Sequence, residues 1–182
     1  MAAMMGETPP ALEPTSAFCP DRPGGAARFH TRYRELSEPY RGDGPHRVEL
    51  NTRHAPDGLK DLPAQWKADT AAGGPRSRLV ACVYQESVGT RRRVKDRLYT
   101  HQSLNVRADP ADATKVALLK ATHIFELYEA KTGKPVGRVR VPGDVPCPAH
   151  YKENSGVSIF QEPDVEKLRA ALRPYVERSV GA

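Results

Sequence analysis

From Arg78 onward the hydrophobic pattern takes a period of two, the signature of β-strands, and a single helical stripe follows near the C-terminus. "RLVACVYQE", residues 78–86, is a compact apolar and β-branched run that predicts a central strand. "SVGT" turns it into "RRRVKDRLYTH", whose polar alternation predicts an edge or solvent-facing strand. After a loop with Pro and Asx-type turn residues, "VALLKATHIFELYEA" reads as a long strand. It carries Phe125 and Leu127 on one face and Ile124 and Tyr128 on the other. "AKTG" turns the chain, and "KPVGRVRV" returns with Val139 and Val141 on one face and Arg138 and Arg140 on the other. Pro135 lacks a ladder donor, which assigns it to a strand end or edge. "VSIF" is a further short strand. "EPDVEKLRAALRPYVERSV" then predicts a helix, with Val165, Leu168, Leu172 and Val176 on one stripe. Pro163 suits its first turn, Asp164 and Glu166 complement its positive end, and Pro174 kinks it or ends its regular part.

Upstream the pattern is weaker. Residues 1–25 are rich in Pro, Gly and Ala without an apolar period, and are expected to be a disordered tail. Phe29, Tyr33 and Leu36 recur at helical spacing before Pro39. "RGDGPHRVELN" predicts a turn and then a strand from His46 to Leu50, and its Arg41-Gly42-Asp43 triplet is first of all turn chemistry. Residues 52–77 form a loop anchored by "LPAQW", in which Leu62 and Trp66, one helical turn apart, serve as a lid on the core. The alternative for Trp66 is stacking on a ligand. The expectation is one α+β domain over residues 36–178. It has a mainly antiparallel sheet of about five strands and a C-terminal amphipathic helix packed on one face.

Composition narrows this picture. Of 182 residues only 38% are apolar and 7% aromatic, with 17 prolines and 14 glycines, so a modest core with long loops is expected. The formal charge of +6 admits association with nucleic acid or another polyanion, and equally reflects an Arg-, Ala- and Pro-rich composition. No window approaches the ~18 apolar residues of a membrane span. The N-terminus lacks a basic region followed by an apolar one, and no hydrophobic run precedes Cys19, so neither a secretory signal nor a lipid anchor is expected. As written the chain is expected to be cytoplasmic, and an upstream start would make the expectation extracytoplasmic.

The search for chemistry mostly excludes. Thr132-Gly133-Lys134 echoes a phosphate-binding loop, but Tyr128 stands where that loop needs its first Gly and Pro135 where it needs the hydroxyl. Cys147 and His150 have a Cys-x-x-His spacing to which Cys82 and His123 are the candidate additions from strands, yet a structural zinc site shows two close ligand pairs and only one is visible. His123 sits among apolar strand residues, as a structural imidazole would. No carboxylate stands in an apolar setting that would mark an acid/base pair. Neither metal nor cofactor is expected, and no catalytic residue is assigned. Among the three cysteines, Cys82 and Cys147 can be read as a disulfide with Cys19 left over, or as a buried thiol and a loop thiol. Arg91, Arg92, Arg93, Lys95 and Arg97, with Arg107 and the Arg138/Arg140 face nearby, form a basic patch for polyanion binding or a charged edge strand that resists aggregation.

The succession "PYRGDGPHRVEL", "LPAQW", "RLVACVY", "ELYEAKTGKPVG", "GDVPCP" and "LRAALRPYV" resembles an uncharacterised actinobacterial domain that commonly trails a signal peptide, a lipoprotein anchor or a membrane helix. The resemblance spans about residues 36–178 and rests on turn-and-strand signatures. Members often carry a further cysteine in the hairpin after the "VACVY"-like strand, where "VKDRLY" has none. The resemblance implies an extracytoplasmic, non-catalytic domain and brings no activity. The leading expectation is therefore a non-catalytic binding or accessory module, with another protein as partner. Polyanion binding through Arg91–Arg97 comes second, and an enzyme without a recognisable motif third.

Overall fold

The computed structural model describes residues 17–51, 60–68, 77–87, 93–99, 114–146 and 158–181. Its elements, in chain order, are β1 (Ala17–Phe18), β2 (Arg28–Phe29), α1 (Thr31–Leu36), β3 (Val48–Asn51), a 3-10 turn (Ala64–Trp66), β4 (Leu79–Ser87), β5 (Arg93–Tyr99), β6 (Thr114–Leu119), β7 (Ala121–Glu129), β8 (Pro135–Pro142), β9 (Ser158–Phe160) and α2 (Val165–Val176). The class is α+β. One sheet has the order β3-β4-β7-β8 and a second the order β5-β6-β9, beside the short β1–β2 pair. Both larger sheets are mixed: β3 runs parallel to β4 and β9 parallel to β6, while the other pairings are antiparallel. Only Lys120 separates β6 from β7, so the long strand expected over residues 116–130 is shared between two sheets.

Alternation of side chains along the strands divides the four-stranded sheet into two faces. Leu79 and Ala81 of β4, Phe125 and Leu127 of β7, and Val141 of β8 pack with Val48 of β3 against Leu168, Leu172 and Val176 of α2. Those three helix residues have no exposed surface. Burying each contributes about 1.5–3 kcal/mol, which fixes α2 across the sheet. Tyr40, Leu62 and Trp66 close the same core, and Trp66 is 2% exposed. It is a lid on the core, with no open ring face for a ligand to stack on.

The helix begins one step later than its sequence suggests. Asp164 is the N-cap, its carboxylate accepting the backbone N–H of Glu166 at 3.0 Å and of Lys167 at 3.1 Å. Pro163 therefore precedes the cap and bridges to Gly143 instead of opening the first turn. Pro174 is accommodated in the last turn, where the helix continues to Val176. A close approach fixes where α2 lies, because a Cβ on Gly137 of β8 would overlap the Tyr175 ring.

The opposite face departs most from the sequence reading. Val80 and Cys82 of β4 with Tyr128 and Ala130 are covered by Tyr33 of α1, and Cys19, Ala27 and Phe29 pack around them. Residues 17–25, expected within a disordered tail, thus belong to the folded domain, which begins well before residue 36. The physical reason is a covalent one. Cys19 and Cys82 form a disulfide with a Cα–Cα separation of 5.5 Å, so a segment without hydrophobic period is stapled to the centre of β4. This corrects the Cys82–Cys147 pairing: Cys82 already has its partner, and Cys147 lies outside the described residues. Phe29 belongs to β2, so the expected helix shortens to Thr31–Leu36. Tyr33 anchors it, with its hydroxyl 2.8 Å from Glu49 Oε2 and 2.9 Å from Ser77 Oγ.

Candidate functional site

The chemistry on this second face gathers around Glu126. Glu126 alternates with Phe125 and Leu127 in β7, so it points away from α2 and into the layer made by the N-terminal segment. Its neighbours across the ladders are Cys82 on β4 and Arg138 on β8. The residue is 4% exposed. Burial of a carboxylate without partners would be prohibitive, and here every lone-pair direction is used. The Gly24 backbone N–H donates at 2.8 Å to Oε1 and 3.0 Å to Oε2. Arg138 donates to Oε1 from Nε at 2.8 Å and also from Nη2. The Tyr128 hydroxyl lies 2.9 Å from Oε2 and 3.1 Å from the Gly25 carbonyl.

These contacts set the titration of the group. Burial pushes the Glu126 carboxyl upward, but the Gly24 N–H, the Tyr128 hydroxyl and Arg138 together outweigh it and hold the carboxyl below its ordinary value. The phenols beside it respond in the opposite sense. Burial, then the charges of Glu126 and Asp21, push Tyr84 up to about 12. Burial and the Glu126 carboxylate also raise Tyr128. At neutral pH the cluster is an ionised, saturated carboxylate with two neutral phenols, an arrangement without a poised proton acceptor. The Tyr84 hydroxyl is buried and has no hydrogen-bond partner among the described residues.

A cavity of about 610 Å³ opens beside this cluster. It is lined by Gly24–Ala27 of the N-terminal segment, Glu126–Tyr128 of β7, Gly133 of the hairpin turn and Pro135–Arg138 of β8. Three consecutive residues of the doubly paired β7 and four of β8 line it, so backbone as well as alternate side chains contribute to the lining. The register of β8 on β7 slips between Leu127 and Tyr128, which leaves Val136 as the extra residue of a bulge. Gly133 permits the approach: its φ of 74° suits the hairpin tip, where its N–H donates to the Glu129 carbonyl at 2.8 Å. The stretch that echoes a phosphate loop is this hairpin.

Apart from Cys82 and Arg138, the residues singled out from sequence lie elsewhere. Arg93 and Lys95 are exposed on β5, but Arg93 and Lys115 both pair with Asp96, which offsets part of the positive charge. Arg97 belongs to β5. Arg91, Arg92, Arg107, Cys147 and His150 lie outside the described residues. Disulfide-bonded Cys82 has no thiolate to give a zinc ion. Among the described residues no group of three or more His, Cys, Asp or Glu is placed to hold a metal. His123 is 2% exposed and 2.9 Å from the Gln161 carbonyl through Nε2. Burial lowers its pKa. Among the described residues no helix is long and apolar enough to cross a membrane.

Glu126, Gly24 and Tyr128 have no functional role in the sequence reading, and Arg138, expected beside the Arg91–Arg97 run, lies on β8 in a different sheet from β5. Glu126 corrects the reading that no carboxylate stands in an apolar setting, since Phe125 and Leu127 flank it in a buried strand. The signal was present: a carboxylate inside an apolar strand, placed opposite an arginine by the hairpin. Compared with known proteins, the chain matches no protein-family model, no curated protein and no solved structure.

Proposed function

We propose that the protein is a non-catalytic binding module that takes an extended segment of a partner polypeptide into the slot between Gly24–Ala27 and β8. The observation that carries this reading is the slot itself, whose volume of about 610 Å³ falls within the ~300–1,000 Å³ of ligand pockets. Half of its twelve lining residues are glycine or alanine, whose small side chains leave backbone within reach. An added strand draws affinity from main-chain hydrogen bonds to a sheet edge, and β8 stands at the end of its sheet order. Arg138, half exposed and oriented by Glu126, supplies a charged contact for a carboxylate of the segment. The saturated state of Glu126 favours binding over acid/base turnover, and the resemblance to a non-catalytic actinobacterial domain points the same way.

The test is selection of short random peptides displayed on phage against the full oxidised chain, followed by calorimetry with the enriched peptides. Binding that shifts the amide resonances of Val136, Gly137 and Arg138, and that Ala26→Trp abolishes by filling the exposed wall, supports the reading. Enrichment of no peptide, or binding indifferent to Ala26→Trp, refutes it. A second reading, polyanion binding, is favoured by the exposure of Arg93, Lys95 and Lys115 on one sheet. It requires an affinity for DNA or RNA that falls steeply with salt, and lack of binding at low salt ends it.

A further inference from the structure

We infer that the Cys19–Cys82 disulfide is a redox latch on one wall of the slot, closed when oxidised and released by a dithiol reductant. For its functional consequence this rests on the slot being the binding site; the latch itself does not. The anchoring of the N-terminal segment is uneven. Residues 31–37 are held without the disulfide, because Tyr33 is fully buried and bonded to Glu49 and Ser77, and Arg34 Nε donates to the Lys131 carbonyl at 2.9 Å. Residues 19–27 have far less. None of them is fully buried, and besides the disulfide their contacts with the sheet include the Gly24 N–H on Glu126, the Gly25 carbonyl near Tyr128 and the packing of Ala27. Gly24 and Ala26 are exposed, so water can replace what they lose. The covalent tie therefore decides whether Gly24–Ala27 stands against β8.

The two sulfurs are not equivalent. Cys82 is fully buried in β4, whereas Cys19 is only partly buried and enters from the surface segment. A thiolate of the incoming dithiol attacks Cys19 Sγ, breaking the Cys19–Cys82 bond and expelling Cys82 as a thiolate that takes up a proton. The second thiol of the reductant then attacks its own sulfur in the mixed disulfide and frees Cys19. Two electrons and two protons pass to the protein, and the reductant leaves as a cyclic disulfide. Gly24 and its hydrogen bond to Glu126 are then free to leave, and Glu126 and Arg138 open to water.

The experiment compares amide hydrogen exchange across the full chain, oxidised and after dithiothreitol treatment, with alkylation confirming that the disulfide is reduced. The latch predicts that protection in residues 19–27 falls about tenfold or more while β4, β7 and α2 keep theirs, as local opening requires. Cys19→Ser should reproduce the reduced pattern. Unchanged protection after reduction overturns the latch. So does loss of protection throughout the chain, which would make the disulfide a staple of the whole fold, or resistance to reduction while folded. If the exchange result holds and no peptide binds the slot, the binding reading falls and the latch stands.

Discussion

Removing the charge of Glu126 tests the site at its centre. Glu126→Gln keeps the shape. Its carbonyl can still accept from Gly24 and Arg138, and its amide can donate to the Tyr128 hydroxyl, which then gives its proton to the Gly25 carbonyl 3.1 Å away. What is lost is the charge assistance, and a cost of about 1 kcal/mol is expected. Glu126→Leu removes every acceptor. Breaking a fully buried pair costs about 3–5 kcal/mol. Arg138 is 49% exposed and regains water, so the cost here falls to about 2–3 kcal/mol, chiefly the Gly24 and Tyr128 bonds. The pH dependence separates charge from packing. The folded carboxyl titrates below its unfolded value, so its stabilisation is complete above the unfolded pKa of about 4.3 and is lost as pH falls through the folded pKa. Urea unfolding followed through the single tryptophan, Trp66, which is buried, measures this directly. The difference between wild type and Glu126→Gln should shrink as the solution is acidified. A constant difference from neutral to acid pH, or a Glu126→Leu variant as stable as wild type, refutes the assignment.

Three further outcomes follow from particular contacts. Gly137→Ala should destabilise by about 1–3 kcal/mol, because its Cβ overlaps the Tyr175 ring, and the loss should be much smaller in a Tyr175→Ala background. Asp164→Ala removes the cap of α2 and should cost about 1 kcal/mol in urea unfolding at neutral pH. Gly133→Val places a branched residue at a φ of 74° and should lower stability by roughly 1–2 kcal/mol, with Gly133→Asn closer to wild type.

The parts of the fold that rest on periodicity were legible in the sequence, and those that rest on single long-range ties were not. Leu168, Leu172 and Val176 announce the buried stripe of α2, and the Phe125/Leu127 alternation announces the face it covers. The parallel pairings of β3 and β9 carry no local signal, since a short apolar run does not reveal its neighbour's direction. The segment around Cys19 reads as a tail because its contribution is one covalent bond and a few backbone contacts, none of which imposes a repeat. The slot shares that difficulty. Half of its wall comes from glycines and alanines whose use depends on where the disulfide and Glu126 hold them.

The stapling of this segment to β4 underlies both the slot and its latch, and disulfide mapping tests it most directly. The oxidised protein would be alkylated under denaturing conditions without reductant, digested, and its peptides identified by mass spectrometry. The account predicts Cys19 and Cys82 in one cross-linked peptide pair and Cys147 carrying the alkyl group. A Cys82–Cys147 pair, or an alkylated Cys19 beside an alkylated Cys82, would contradict it.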